Sequence, residues 1–179
     1  TYSRIRPRIQ ETALVLWGIY ILFPVLEAVI LFCLGFHPEI DMNLFDAVNH
    51  ALTTMPSGGF STHDASIGYY DSALVEGVIT FFMFLTGVNF TLLYFALIRD
   101  WQKLWTDEEL KLYAFVMVFA ASIMALNLSF SSEYGIGESL RKTIFQAVSI
   151  GTSTGYSSAD FASWPAFSTL ILLFLMVVG

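Results

Sequence analysis

"LRKTIFQAVSIGTSTGYSS", residues 140–158, lies between two strongly apolar stretches. It begins as an amphipathic segment, with Leu140, Ile144 and Val148 at helical spacing, and ends in a run of hydroxyl residues and glycines. A second stretch, "LFDAVNHALTTMPSGGFST" at residues 44–62, has the same design, with Leu44, Val48, Leu52 and Met55 at helical spacing. An offset of 96 superposes the two without a gap. Leu44 then meets Leu140, Ala51 meets Ala147, Ser57 meets Ser153, Gly59 meets Gly155 and Ser61 meets Ser157, while Phe60 faces Tyr156. The same order of span, short helix, small-residue loop and span surrounds both, so the chain reads as an internal repeat. Asn43 is placed to cap the first short helix, with Asp46 at its third position in a variant of the capping box.

Composition sets the class. The chain is 56% hydrophobic and 13% charged, with a mean hydropathy of +0.67. Soluble domains carry about twice that share of charge, so this is a membrane protein. A net charge of −7 excludes a nucleic-acid partner, because no basic cluster is large enough to neutralise a phosphate track. The single cysteine, Cys33, cannot build a disulfide framework and reads as a small packing residue.

Three segments have the length and apolarity of spans: 14–36, 72–98 and 110–128, with a fourth beginning near Trp164. The run from Trp164 to Gly179 reaches about 24 Å against about 30 Å of hydrocarbon, so the chain is expected to be part of a longer membrane protein. Pro24 is expected to kink the first span. Trp17, Tyr69, Tyr70, Trp101, Trp105 and Trp164 fall near span ends, as an aromatic belt requires. Arg4, Arg6, Arg8, Arg99, Lys103 and Lys111 share one side, which places residues 1–10 and 99–109 in the cytoplasm. The opposite side receives Glu39, Asp41, Asp46, Asp64, Asp71, Glu76, Glu133, Glu138 and Asp160 against Arg141 and Lys142. That acidic face either concentrates cations or is ordinary solvated loop.

The short helices are too short to cross, so each is expected to enter the membrane and turn back, with its small-residue loop at membrane depth. "GTSTG" at 151–155 fits the G-x-S-x-G elbow of serine hydrolases, with Ser153 as nucleophile. That elbow needs a strand before the serine, whereas a helix precedes it here, and His37, His50 and His63 all lie in the other repeat. A flexible linker has no reason to follow a membrane-entering helix twice at matched positions. Non-helical backbone at membrane depth survives only where it is buried in protein or lines a watery cavity, and carbonyl oxygens aimed at such a cavity suit a dehydrated cation. Glycine supplies the φ freedom to aim them, and the partly negative helix end points the same way.

"SGGFS" and "STGYS" resemble a degenerate form of the potassium-channel filter T-V-G-Y-G, keeping its central glycine and the aromatic after it. "TTMPSGGFSTHDASIGYY" and "SIGTSTGYSSADFASWP" closely resemble the second and third pore loops of the TrkH family, membrane subunits of bacterial Trk potassium uptake, in a superfamily with Ktr and with plant and fungal transporters. The resemblance covers essentially the whole chain. It implies an all-α membrane fold of span–pore helix–filter–span repeats, four in the complete family member, arranged about a pseudo-fourfold pore. Residues 1–105 would be the second repeat, with pore helix and filter at 43–62. Residues 106–179 would be a truncated third, with pore helix and filter at 139–158.

Carried across residue by residue, the resemblance assigns filter carbonyls for K⁺ to Ser57, Gly58, Gly59 and Phe60, and to Ser153, Thr154, Gly155 and Tyr156. Pro56 departs from the small hydroxyl residue more usual in relatives. Only one invariant-type glycine per loop, Gly59 and Gly155, rather than two, implies a looser preference for K⁺ over Na⁺ than in potassium channels. The family's intramembrane gating loop would lie beyond Gly179. By resemblance the protein needs no organic cofactor, performs no covalent chemistry, forms a homodimer in the bacterial inner membrane, and binds a cytosolic nucleotide-binding TrkA-like regulatory subunit. A Ktr-type, Na⁺-dependent subunit is the alternative within transport. A secondary carrier is a further one, although carriers usually show inverted repeats.

Other positions keep two readings. Asn89 and Gly87 in "LTGVNF" either line a cavity below the filter or serve helix packing. Glu27 is costly in hydrocarbon and should face protein or water. Asp64 and Asp160 follow the two filters and either attract ions at the vestibule or are solvated loop charge.

Overall fold

The computed structural model describes residues 2–97, 99–131 and 135–179, with side chains from residue 13 onward. Glu133, Ile98 and the side chains of Arg4, Arg6 and Arg8, all invoked above, lie outside the described residues. Among the described residues every regular element is helical. The order is α1 (Tyr2–Leu34), α2 (Leu44–Thr54), α3 (Ala73–Thr86), α4 (Phe90–Leu97), α5 (Trp101–Thr106), α6 (Glu108–Ser131), α7 (Ile136–Gly151) and α8 (Ala166–Val178). Short 3₁₀ turns at Ser66–Tyr70 and Phe161–Ser163 follow the two loops.

Packing repeats with the sequence. α1 contacts α2 and α3, and α2 contacts α3; α6 contacts α7 and α8, and α7 contacts α8. The two units are joined where α3 lies against α7. A core of Leu31, Ala47, Ile67, Tyr70, Val75, Ile79, Met83, Phe145, Val148 and Tyr156 draws on both. Small residues let α7 come close to α6. Ala120 and Ala121 are buried, and a side chain at Gly151 would collide with Met117.

α1 and α6 are long and apolar enough to cross a bilayer, as expected for the first and third spans. α1 continues through Pro24 as one helix. The outward stripe Leu14, Trp17, Ile21, Val25 and Val29 is apolar and exposed, as a lipid-facing surface must be.

The expected continuous span over 72–98 is broken. α3 and α4 meet at 111°. Gly87 ends α3, and the Asn89 side chain accepts the Thr91 amide at 2.9 Å, opening α4 as a capping residue does. The Tyr113 hydroxyl donates to the Phe84 carbonyl at 3.2 Å, satisfying an acceptor freed by the break. Glycine fits closely there: a Cβ at Gly87 would strike the Tyr113 hydroxyl and lie 3.1 Å from the Thr152 methyl, so those side chains would have to shift.

The short helices are amphipathic with the reverse of the soluble-protein sense. On α2, Leu44, Val48 and Leu52 are exposed while Asp46, His50 and Thr54 are buried. On α7, Leu140 and Ile144 are exposed while Lys142, Gln146 and Ser149 are buried. The apolar stripes line grooves, one against Trp17, Ile21 and Val25 of α1, the other against Gly77, Phe81 and Phe84 of α3. Hydrocarbon tolerates an apolar exterior, so the inward face is free to carry polar groups.

Candidate functional site

Both short helices end in the same way. Asn43 caps α2 through its side chain, 2.9 Å from the Asp46 amide. At the C-terminus of α2, the Ser57 amide donates to the Thr54 carbonyl at 3.0 Å, and the Gly58 and Gly59 amides donate to the Thr53 carbonyl at 2.8 and 3.3 Å. On α7, the Ser153 amide donates to Ile150 at 3.0 Å, and those of Thr154 and Gly155 donate to Ser149 at 2.9 and 3.2 Å. Each bond of one set maps onto the other at the offset of 96. The backbone angles repeat as well: φ is +54° at Ser57 and +62° at Gly59, then +57° at Ser153 and +86° at Gly155.

These bonds determine where the carbonyls point. In a planar trans peptide the C=O of one residue opposes the N–H of the next. The amides of residues 57–59 turn back to the end of α2, so the carbonyls of Pro56, Ser57 and Gly58 point away from it. By the same construction, those of Thr152, Ser153 and Thr154 point away from α7. Further along, the Thr53 hydroxyl lies 2.8 Å from the Phe60 carbonyl, and the Ser149 hydroxyl donates to the Tyr156 carbonyl at 2.6 Å. The loop is thereby tied back to its helix after the glycine.

The two loops touch. A side chain on Gly59 would collide with the Thr154 carbonyl oxygen, and its Cβ would lie 3.2 Å from the Gly155 carbonyl carbon. Tyr156, 0% exposed, crosses to the other short helix. Its hydroxyl donates to the His50 carbonyl at 3.0 Å and lies 2.6 Å from Thr53 Oγ1. Phe60 holds the equivalent position and is 75% exposed.

Behind the loops the polar faces of α2 and α7 supply the support. His50 donates from Nδ1 to the Asp46 carbonyl at 2.7 Å, which leaves Nε2 of the neutral ring to accept the Ser61 hydroxyl at 3.0 Å. Gln146, its equivalent, approaches the Tyr156 carbonyl at 3.4 Å. Asp46 pairs with His63 at 3.5 Å, and the His63 ring stacks on Tyr69 at 3.7 Å. A hydrogen bond to the Asp41 carboxylate, at 3.2 Å, holds the Tyr69 phenol above its usual range. At the place equivalent to Asp46 stands Lys142, 2.9 Å from Glu76 of α3.

Of the residues singled out from the sequence, Gly59 meets Thr154 and Gly155 across the two loops, while Ser57, Gly58 and Ser153 lie beside them in the chain at the helix ends. Asp64 and Asp160 are exposed, and Asp160 accepts the Ala162 amide at 3.1 Å. Asn89 is exposed and serves α4. Glu27 is buried beside Thr54 at the end of α2, and its Oε1 has no hydrogen-bond partner among the described residues. Helix α7 leads into Ser153, which is not the strand that a nucleophile elbow requires. Among the described residues no group of three or more His, Cys, Asp or Glu side chains is gathered as a metal site. Thr53, Ser149, His50, Gln146 and Lys142 were not expected from the sequence to support the loops. Their signal is a polar stripe at 46, 50, 53 and 142, 146, 149, opposite the apolar one.

The family model described as TrkH, cation transport protein, matches residues 3–179. The chain belongs to this TrkH family. Its similarity to the Trk system potassium uptake protein TrkH of Escherichia coli is 37% identity over 180 residues, covering 99% of this chain and 36% of that protein. The TrkH protein of Halomonas elongata is likewise 37% identical, over 186 residues, with the same coverage of each. The crystal structure of the potassium transporter TrkH from Vibrio parahaemolyticus aligns with a TM-score of 0.85 and 35% identity, over 94% of this chain and 36% of that one. This TrkH-family chain thus spans about a third of the length of the relatives it matches. Those relatives are named as transport proteins, and none is named as an enzyme.

Proposed function

We propose that the chain forms two of the repeats that surround a K⁺ pathway, residues 1–105 and 106–179, within a longer TrkH-type potassium uptake subunit. One observation carries the reading: two loops with identical backbone bonding, 96 residues apart, touch each other and turn successive carbonyls away from their helix ends. Carbonyl oxygens gathered in this way replace the hydration shell of a cation, and the negative ends of α2 and α7 add to the attraction. Ser57, Gly58, Ser153 and Thr154 are the leading oxygen donors. Gly59, Gly155, Phe60 and Tyr156 complete the predicted set, with the last two also engaged by hydroxyls.

The similarity of this chain to relatives named as Trk system potassium uptake proteins favours a TrkH-type subunit over a Ktr-type one. A homodimer in the bacterial inner membrane, with the pore mouths outside and a cytosolic nucleotide-binding partner, completes the proposal. The test is Rb⁺ flux through the full-length protein in liposomes, with wild type compared against Gly155→Ser. A substantially altered flux and ion preference is expected. Unchanged values in a folded variant would remove the filter reading.

A further inference from the structure

Lys142 lies mid-way along α7 and is only 6% exposed. A buried ammonium is tolerated only when its charge and its three protons all find partners. Its Nζ lies 2.9 Å from Glu76 Oε1, 3.5 Å from Asp71 Oδ1 and 3.0 Å from the Ser158 carbonyl. Glu76 is 1% exposed and belongs to α3, in the other unit. Arg141 joins the same group, 3.1 Å from Asp71 and 3.3 Å from Glu76. Two cations and two carboxylates balance one another. Neutrality therefore does not account for the bond to Ser158.

Ser158 closes the segment that leaves the second loop, three residues after Gly155. That segment is held from its other side as well. The Gly68 amide donates to the Ser157 carbonyl at 3.0 Å, and the Ser157 amide donates to the Ser66 hydroxyl at 3.2 Å. Gly68 packs so closely that a Cβ there would lie 3.2 Å from the Ser158 carbonyl oxygen. The outer end of this loop is thus clamped between α7 and the 3₁₀ turn of the first unit. Asp46, the counterpart of Lys142, has no proton to give a carbonyl and takes His63 instead.

Resting on the filter reading above, we infer that Lys142 is a positioning residue for ion selection, holding the outer end of the second loop through the Ser158 carbonyl while Glu76 supplies its counter-charge. Selection among cations depends on how tightly the oxygens are held at one spacing, so freeing this end admits Na⁺. The test uses the full-length protein in liposomes and reads the Rb⁺/Na⁺ flux ratio together with the melting temperature. Replacing both partners, Lys142→Met with Glu76→Gln, removes the donor to Ser158 without leaving an unpaired buried charge. The ratio is expected to fall about tenfold while the melting temperature stays near wild type. Lys142→Arg, which keeps a charged donor, should restore the ratio to within about twofold of wild type.

Gly155→Ser is run beside them. If it shifts the ratio and the double variant does not, the inference about Lys142 is overturned and the filter reading stands. If neither shifts it, the filter reading itself is lost, and the inference with it. Should the double variant fail to accumulate, Glu76→Gln alone decides: a ratio lowered about threefold supports the role, and an unchanged one overturns it.

Discussion

The two short-helix units share a backbone and differ in what stands behind it. Hydrogen bonds from residues 57–59 into the end of α2 recur, residue for residue, from 153–155 into the end of α7. The buried supports are of opposite charge: Asp46 with His63 in the first unit, Lys142 with Glu76 in the second. The first pair is local and partly exposed, whereas the second is buried and reaches across to α3. The aromatic after the glycine differs too, since Tyr156 is locked onto α2 and Phe60 is exposed. Loop shape is therefore set by main-chain geometry that both sequences satisfy, and the tethering of each loop is set by side chains free to diverge.

The largest expected effect tests the shared part. Both glycines have positive φ, where a Cβ costs about 1–2 kcal/mol, but only Gly59 also faces a carbonyl across the loop contact. Gly59→Ala should thus reduce Rb⁺ flux in liposomes much more than Gly155→Ala, and equal losses would break the distinction. Removing Lys142 alone leaves Glu76 buried with reduced compensation, so Lys142→Ala should cost about 3–5 kcal/mol in thermal unfolding of the purified protein. At the more exposed pair, His63→Ala should cost only about 1 kcal/mol in the same assay. A similar cost for the two would erase the contrast between the supports.

Tyr156→Phe makes the second loop like the first. It forfeits the hydroxyl contacts to His50 and Thr53 and should cost about 1–2 kcal/mol, read as a lowered melting temperature. The smallest change expected lies away from the loops. Asn89→Ala removes the acceptor of the Thr91 amide and should cost about 1 kcal/mol of helix stability, with little effect on ion preference.

Much of the loop was legible because the signals are local. The offset of 96, the capping Asn43 and the glycines at 59 and 155 each act within a few residues of their own position. The break after Gly87 was missed, since an apolar count over 72–98 outweighs one glycine and one asparagine, and the Tyr113 hydroxyl that compensates it comes from α6. The polar stripe of the short helices was missed for a related reason. Apolar residues at helical spacing normally mark the buried side, and in a membrane protein that expectation reverses.

Periodicity, composition and small-residue spacing determined that this is a helical membrane chain with two matched loops, because hydrophobicity and backbone preference are properties of each residue and its near neighbours. Only the tertiary structure decided that Lys142 meets Glu76 and Ser158, that Tyr156 rests on α2, and that Gly59 touches Thr154. Those partners lie up to about a hundred residues apart in the chain. No local pattern can specify which buried polar groups will satisfy one another, because that depends on how α3 and α7 pack.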